Sequence, residues 1–152
     1  MVTSPQPILL IEDSPEDFEM TVRSLQKAGL KNPIRHCCDG DDALDYLYHR
    51  GAYANSSDAQ RPGIIFLDLN MPGTDGREVL DDLKKNSDLK LIPVIVLTTS
   101  GDQRDMQDCY RMGANSYMQK PLNFSGFMNA MSELKDYWFE VVVLPKQSGG
   151  AQ

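Results

Sequence analysis

Three apolar stretches without a polar break, at residues 8–11, 64–67 and 94–97, leave this chain few ways to fold. A strand with one wet face alternates polar and apolar residues. An unbroken run has to be covered on both faces, which is the situation of a parallel sheet flanked by helices. At four residues each the runs are far too short for a membrane span, which needs about 20 apolar residues.

Longer amphipathic stretches separate these runs. After the first comes Ser14-Pro15-Glu16-Asp17, which offers an N-cap serine, a proline at the first helical position and carboxylates in the first turn. Phe18, Val22 and Leu25 follow at helical spacing, with Gly29 as the stop. Residues 33–38 are expected to form a second strand, diluted by Arg35 and His36, and a helix carrying Ala43, Leu44 and Leu47 is expected from Asp39 onward. Residues 48–61 lack periodicity and are expected to be a loop. The strand at 63–68 is followed by turn-rich residues 70–76 and a helix with Val79, Leu80 and Leu83. Residues 92–98 are the fourth strand, a helix spans 102–112 and stops at Gly113, and 116–119 is a short fifth strand. Phe124, Phe127, Met128, Met131, Leu134 and Trp138 are expected to share one face of a last helix.

Five strand-then-helix units, at spacings of roughly 25–30 residues, imply parallel pairing with right-handed crossovers. The expected fold is therefore α/β, a doubly wound five-stranded parallel sheet in the order 2-1-3-4-5, forming one domain over residues 1–145 with a disordered tail at 146–152. The 22 acidic and 15 basic residues give a formal net charge of -7. That balance argues against nucleic acid as a partner, since such binding rests on Lys and Arg neutralising phosphates. The N-terminus has neither the basic start nor the apolar core of a secretory signal. Cys37, Cys38 and Cys109 form no metal-ligand or CxxC spacing and are expected to be reduced thiols in a cytoplasmic protein, and His36 and His49 are expected to be ordinary residues.

In such a sheet, ligands bind beyond the carboxyl ends of the strands, where the strand order reverses between strands 1 and 3. Strand 1 ends in Glu12-Asp13, strand 3 in Asp68, strand 4 in Thr98-Thr99-Ser100 and strand 5 in Lys120-Pro121. Each residue alone reads as a polar strand end. Together they place three carboxylates, several hydroxyls and one lysine on a single edge. Two carboxylates about 4 Å apart repel by roughly 4 kcal/mol at an effective dielectric near 20, and one lysine cannot neutralise three acids. A divalent cation completes the balance. The all-oxygen donor set favours Mg²⁺, which typically serves phosphate chemistry. Gly73 and Gly76 either relax the turn after Asp68 so that backbone groups face the metal or belong to an ordinary turn.

The motifs Glu12-Asp13, Asp68-Leu-Asn-Met-Pro-Gly-Thr-Asp-Gly76, Val96-Leu-Thr98-Thr-Ser and Tyr117-Met-Gln-Lys120-Pro121 stand in this order across about residues 7–140. On these motifs the chain resembles the receiver domain of two-component response regulators. The resemblance implies Asp68 as the phosphoacceptor, with Asp13 as a direct Mg²⁺ ligand, Glu12 as the acid holding metal-bound water and the Asn70 carbonyl as a further ligand. Thr98 resembles the hydroxyl that follows the phosphoryl group, Tyr117 the aromatic that moves with it, and Lys120 the lysine that pairs with a phosphate oxygen. Pro121 resembles the proline after that lysine, a place where a cis bond is open. The implied output surface is the face of helix 4, strand 5 and helix 5.

The Gly51-Ala-Tyr53 loop, the run to Leu80 and the ending Tyr137-Trp-Phe-Glu-Val-Val-Val-Leu-Pro145 resemble the single-domain regulators that accept phosphate from cyanobacterial phytochrome histidine kinases. That likeness implies a phytochrome-type kinase as partner and a homodimer formed through the carboxyl-terminal half. The ending itself either folds back on the domain or contacts a second copy. A protein of this kind is not an enzyme toward outside substrates. Two other classes share features with it. Aspartate-nucleophile phosphatases also use Asp, Mg²⁺, Thr and Lys, but they carry Asp-x-Asp on the first strand, whereas here Asp68-Leu-Asn70 is on the third. A flavodoxin-like carrier needs a hydroxyl- and glycine-rich phosphate loop after strand 1, where this chain has Asp13-Ser-Pro-Glu-Asp17.

Overall fold

The unbroken apolar runs are strands, buried along their whole length. The computed structural model describes residues 6–55, 59–71, 73–141 and 144–145. Its five strands are β1 (Ile8–Ile11), β2 (Ile34–Cys37), β3 (Ile64–Leu67), β4 (Val94–Thr98) and β5 (Ser116–Gln119). They pair in parallel in the order β2-β1-β3-β4-β5, as the spacing of the runs requires. The inner strands are fully buried, while β2 and β5, the two edges, are mostly half-buried and have the more polar sequences.

Residues alternate across the sheet. Leu9, Ile11, Ile65, Leu67, Val94 and Val96 face one side, under α2 (Gly40–Tyr48), α3 (Gly76–Lys85) and α4 (Gln103–Met112). Ile8, Leu10, Ile64, Phe66, Ile95 and Leu97 face the other, under α1 (Pro15–Lys27) and α5 (Phe124–Asp136). These are the two layers of a doubly wound fold.

Each helix starts on a side-chain cap. Ser14 accepts from the Asp17 N–H, Asp39 from Asp42, Asp75 from Arg77 and Glu78, Asp102 from Arg104 and Asp105, and Asn123 from Gly126. Such caps contribute about 1 kcal/mol each and fix where each helix leaves its loop. Asp39 and Asp102 are thus caps rather than first helical residues. Gly113 ends α4 in the left-handed region at φ 108°.

Three expectations need correction. The 48–61 stretch is not all loop: α2 runs to Tyr48 and a 3₁₀ turn spans Gly51–Tyr53. That turn is held by tertiary contacts, with Tyr53 donating to Asp42 at 2.7 Å and packing edge-on against Tyr46. Phe124 is 58% exposed, because it is the first residue of α5, whose buried side chains are Phe127, Met131 and Leu134. Trp138 lies beyond the α-helix, in a π-helical turn Tyr137–Val141. The Lys120–Pro121 bond, open in the sequence, is trans, as are all peptide bonds among the described residues. Trp138, Phe139 and Leu144 pack on the α1–α5 side, so that part of the ending folds back on the domain. The 146–152 tail lies outside the described residues. No helix among the described residues is long and apolar enough to cross a membrane.

Phe66, fully buried in β3 beneath α1 and α5, is the largest side chain in this core to be flanked by strands on both sides. Phe66→Ala is expected to cost about 3–5 kcal/mol by urea unfolding. Leu122→Ser, at a side chain left 96% exposed, is expected to stay within about 0.5 kcal/mol of wild type.

Candidate functional site

Strand register assembles the site. Ile11 lies level with Leu67, and Leu67 with Val96, so the residues that follow leave the sheet side by side. The ladder hydrogen bonds run one step past the strands. Glu12 N–H donates to the Cys37 carbonyl and Asp68 N–H to Ile11, each at 3.0 Å, and Lys120 N–H donates to Thr98 at 2.6 Å. Thr98, the last residue of β4, is fully buried.

One carboxylate oxygen from each of Glu12, Asp13 and Asp68 lies within 4.8 Å of the other two. Glu12 and Asp68 are buried and Asp13 is exposed. Lys120, also buried, places its ammonium 2.5 Å from Glu12 Oε1 and 3.1 Å from Asp17 Oδ2. Its bonds therefore go to Glu12 and to α1 rather than to Asp68. Burial pushes the Glu12 pKa up, and this outweighs the hydrogen bond and charge of Lys120, which pull it down. Burial works against the Lys120 ammonium, but the Glu12 hydrogen bond and the charges of Glu12 and Asp68 hold its pKa above the ordinary lysine value. Three carboxylates share one lysine, and that lysine is committed to two of the acids around it. The donors are all hard oxygens on rigid strand ends, a set that fits a divalent cation of the Mg²⁺ or Mn²⁺ type.

Asn70 joins the acids to the hydroxyl side. Its N–H donates to Asp68 Oδ1 and its side-chain amide to Thr98 Oγ1, both at 3.4 Å. Thr98 Oγ1 also accepts the Ser100 N–H at 3.2 Å. Tyr117 is half-buried against the α2–α3–α4 side and donates its hydroxyl to the Ser100 carbonyl at 3.0 Å. Gly76, the first residue of α3, explains how a helix can start so close to Asp68. A Cβ there would overlap the Asp68 carbonyl oxygen, so only glycine permits this approach. Gly73 stands at φ 71°, in the left-handed region. The turn after Asp68 thus does need its glycines.

All the residues singled out in the sequence reach this edge. Glu12, Asp13 and Asp68 come together as an acid cluster, with Asn70, Thr98 and Lys120 around them and Tyr117 one residue further, on Ser100. Asp17 was not expected here. It reads as a first-turn acid of α1, yet its carboxylate also meets Lys120. Arg77 and Asp105, paired at 2.8 Å, were missed as well. The only sequence signal was an arginine in the first turn of a helix, where the dipole disfavours a cation. The three cysteines are free, and burial raises the Cys37 pKa well beyond the usual thiol range. His36 stacks on Phe18 with ring centroids 3.8 Å apart, an ordinary packing role.

Residues 8–132 match the family model described as the response regulator receiver domain. The response regulator Rcp1 of Synechocystis sp. is 39% identical over 141 residues, 93% of this chain and 94% of that protein. Its solved Mn²⁺-bound form superposes with a TM-score of 0.86, covering 93% of this chain and all of that one. The phosphorylated cyanobacterial phytochrome response regulator RcpA gives a TM-score of 0.87 at 35% identity, covering 94% of this chain and 100% of that one. The bacteriophytochrome response regulator AtBRR gives 0.73 at 38% identity, over 95% and 100%.

Like-charge repulsion at this edge has a measurable consequence. At 4.8 Å a pair of carboxylates repels by about 3.5 kcal/mol at an effective dielectric near 20, partly offset by Lys120. Asp68→Asn is therefore expected to stabilise the chelator-treated protein by about 1 kcal/mol in urea unfolding, and to reduce the stabilisation that added Mg²⁺ or Mn²⁺ gives the wild type. A destabilised Asp68→Asn protein in chelator would contradict the repulsion argument.

Proposed function

The chain belongs to the response regulator receiver domain family, and from that premise we propose that it takes a phosphoryl group from a phosphohistidine of a histidine kinase onto Asp68. The observation that carries this reading is the convergence of three carboxylates and a buried lysine at the switch point of the sheet. Glu12, Asp13, Asp68 and the Asn70 carbonyl would hold a divalent cation, taken to be Mg²⁺. The mixed acid set agrees with the Mn²⁺ bound by Rcp1. When bound, the cation supplies charge neutralisation on the transferring phosphoryl oxygens.

The chain's own residues do the rest. The Asp68 carboxylate attacks phosphorus, the N–P bond of the donor breaks, and its electron pair returns to the imidazole nitrogen. The product is an aspartyl phosphate. The ladder bond from Asp68 N–H and the turn closed by Gly76 hold the nucleophile in place, which is the positioning part of phosphoryl transfer. Lys120 pairs with a phosphoryl oxygen, and Asp17 in the first turn of α1 is its partner until then. The protein turns over no external substrate.

Thr98 and Tyr117 are the switch. A phosphoryl oxygen on Asp68 draws the Thr98 hydroxyl from the donors that hold it now, the Ser100 N–H and the Asn70 amide. Tyr117, tied to the same Ser100, moves with it. The surface altered is that of α4, β5 and α5. A groove there is lined by Ile95, Met118, Ala130, Leu134 and Trp138. This groove and the exposed Tyr137 are the features that support a homodimer through the carboxyl-terminal half. The likeness to RcpA and AtBRR supports a phytochrome-type photoreceptor as the kinase.

Incubation with acetyl phosphate and Mg²⁺ is expected to add one phosphoryl group to the wild type by intact mass, and none to Asp68→Asn. Thr98→Ala is expected to take the label but to lose most of the phosphorylation-dependent change in elution volume. A Thr98→Ala protein that is labelled and shifts as fully as the wild type would rule out the Thr98 coupling.

A further inference from the structure

We propose that the Arg77–Asp105 ion pair is a latch that, through Ser100, holds Thr98 and Tyr117 in the unphosphorylated arrangement and so sets how readily the domain switches. This rests on the assignment of Asp68, Thr98 and Tyr117 above and adds positioning residues to it.

The latch is a continuous chain of contacts. Arg77 Nη2 donates to Asp105 Oδ1 at 2.8 Å, and its other terminal nitrogen is 3.8 Å from Asp75, the α3 cap. Asp105 Oδ2 accepts the Ser100 hydroxyl at 2.9 Å. Ser100 is the hub. Its N–H donates to Thr98 Oγ1, its carbonyl accepts the Tyr117 hydroxyl, and its own hydroxyl oxygen accepts the Asp102 N–H. Tyr117 is held at a second point, where its N–H donates to the Tyr110 hydroxyl on α4.

The placement of Arg77 is the informative part. It is the second residue of α3, where the helix dipole disfavours a cation. A solvated arginine there has nothing to offset that cost. Here its side chain is about 29% exposed and reaches across to the first turn of α4. Asp105 lies well placed for the α4 dipole in any case, so the dipole does not require Arg77 opposite it. The pair joins two elements with different duties. The α3 end is fixed to the phosphoacceptor turn, because Gly76 N–H donates to the Leu69 carbonyl at 3.0 Å and Asp75 caps two amides. The α4 end belongs to the segment that must move. A tie from a fixed element to a moving one biases a two-state equilibrium by whatever it contributes in one state and not the other.

The test uses the full chain carrying 3-fluorotyrosine, with the Tyr117 resonance assigned by Tyr117→Phe. In unphosphorylated protein, Arg77→Gln and Asp105→Asn are each expected to move the Tyr117 resonance. They are also expected to raise the acetyl phosphate labelling rate about fivefold, the lower end of ordinary coupling strengths. The double variant should match the singles, since both remove one interaction. The charge swap, Arg77→Asp with Asp105→Arg, should return both readouts toward wild type. Ser100→Ala breaks the chain while leaving the ion pair, and should shift both readouts in the same direction even if a charge variant fails to fold. A Tyr117 resonance that stays put, or labelling within twofold of wild type, would overturn the latch whatever happens to thermal stability. A wild type that takes no label would overturn the Asp68 reading instead, and the Tyr117 resonance of the unlabelled variants would still decide the latch.

Discussion

Like charges brought to the end of one sheet govern the rest of this structure. Glu12, Asp13 and Asp68 bring three carboxylates within 4.8 Å of one another, an arrangement whose mutual repulsion a nearby positive charge relieves. The protein supplies one in Lys120, buried against Glu12 and Asp17. Buried ion pairs are poor sources of net stability, although breaking one by removing a partner typically costs about 3–5 kcal/mol. Well-packed apolar residues of similar volume often serve a fold as well or better. The arrangement is a carboxylate site short of positive charge whose oxygen donors fit a divalent cation.

The sheet makes that arrangement rigid. The β1, β3 and β4 registers and the ladder bonds past the strand ends fix four of the site's backbones. What is left adjustable is the hydroxyl side. Thr98 is held by two contacts of 3.2–3.4 Å, long for hydrogen bonds, and Tyr117 hangs on the carbonyl of Ser100. A rigid carboxylate cluster beside a weakly held hydroxyl is a sensible division for a signalling domain. Chemistry needs preorganisation, whereas the response needs two arrangements close in free energy.

Much of this was legible in the sequence, for a definite reason. An apolar run buried on both faces has only one class of home, and the residue that ends it must lie at the functional edge. Glu12, Asp13, Asp68 and Thr98 could be placed from that argument, whereas Lys120 follows β5, a half-buried edge strand placed by the strand-helix alternation. What escaped depends on side chains meeting across elements. Asp17 meets Lys120 from the first turn of α1, whose start Ser14 caps. The Gly51–Tyr53 turn is made by Tyr53 finding Asp42 and Tyr46, not by its own propensity. Phe124 matches the helical period but sits at the first position of α5 and is exposed. Periodicity marks which way a residue faces and carries no information on where the neighbouring layer ends.

The central claim is chemical, that Asp68 and no other group bonds to phosphorus. Borohydride reduction of the phosphorylated wild-type protein converts an aspartyl phosphate to homoserine, which tandem mass spectrometry can locate. The account predicts homoserine at position 68 alone. Homoserine at position 13, or a phosphoryl group that survives reduction on a hydroxyl or histidine side chain, would contradict it.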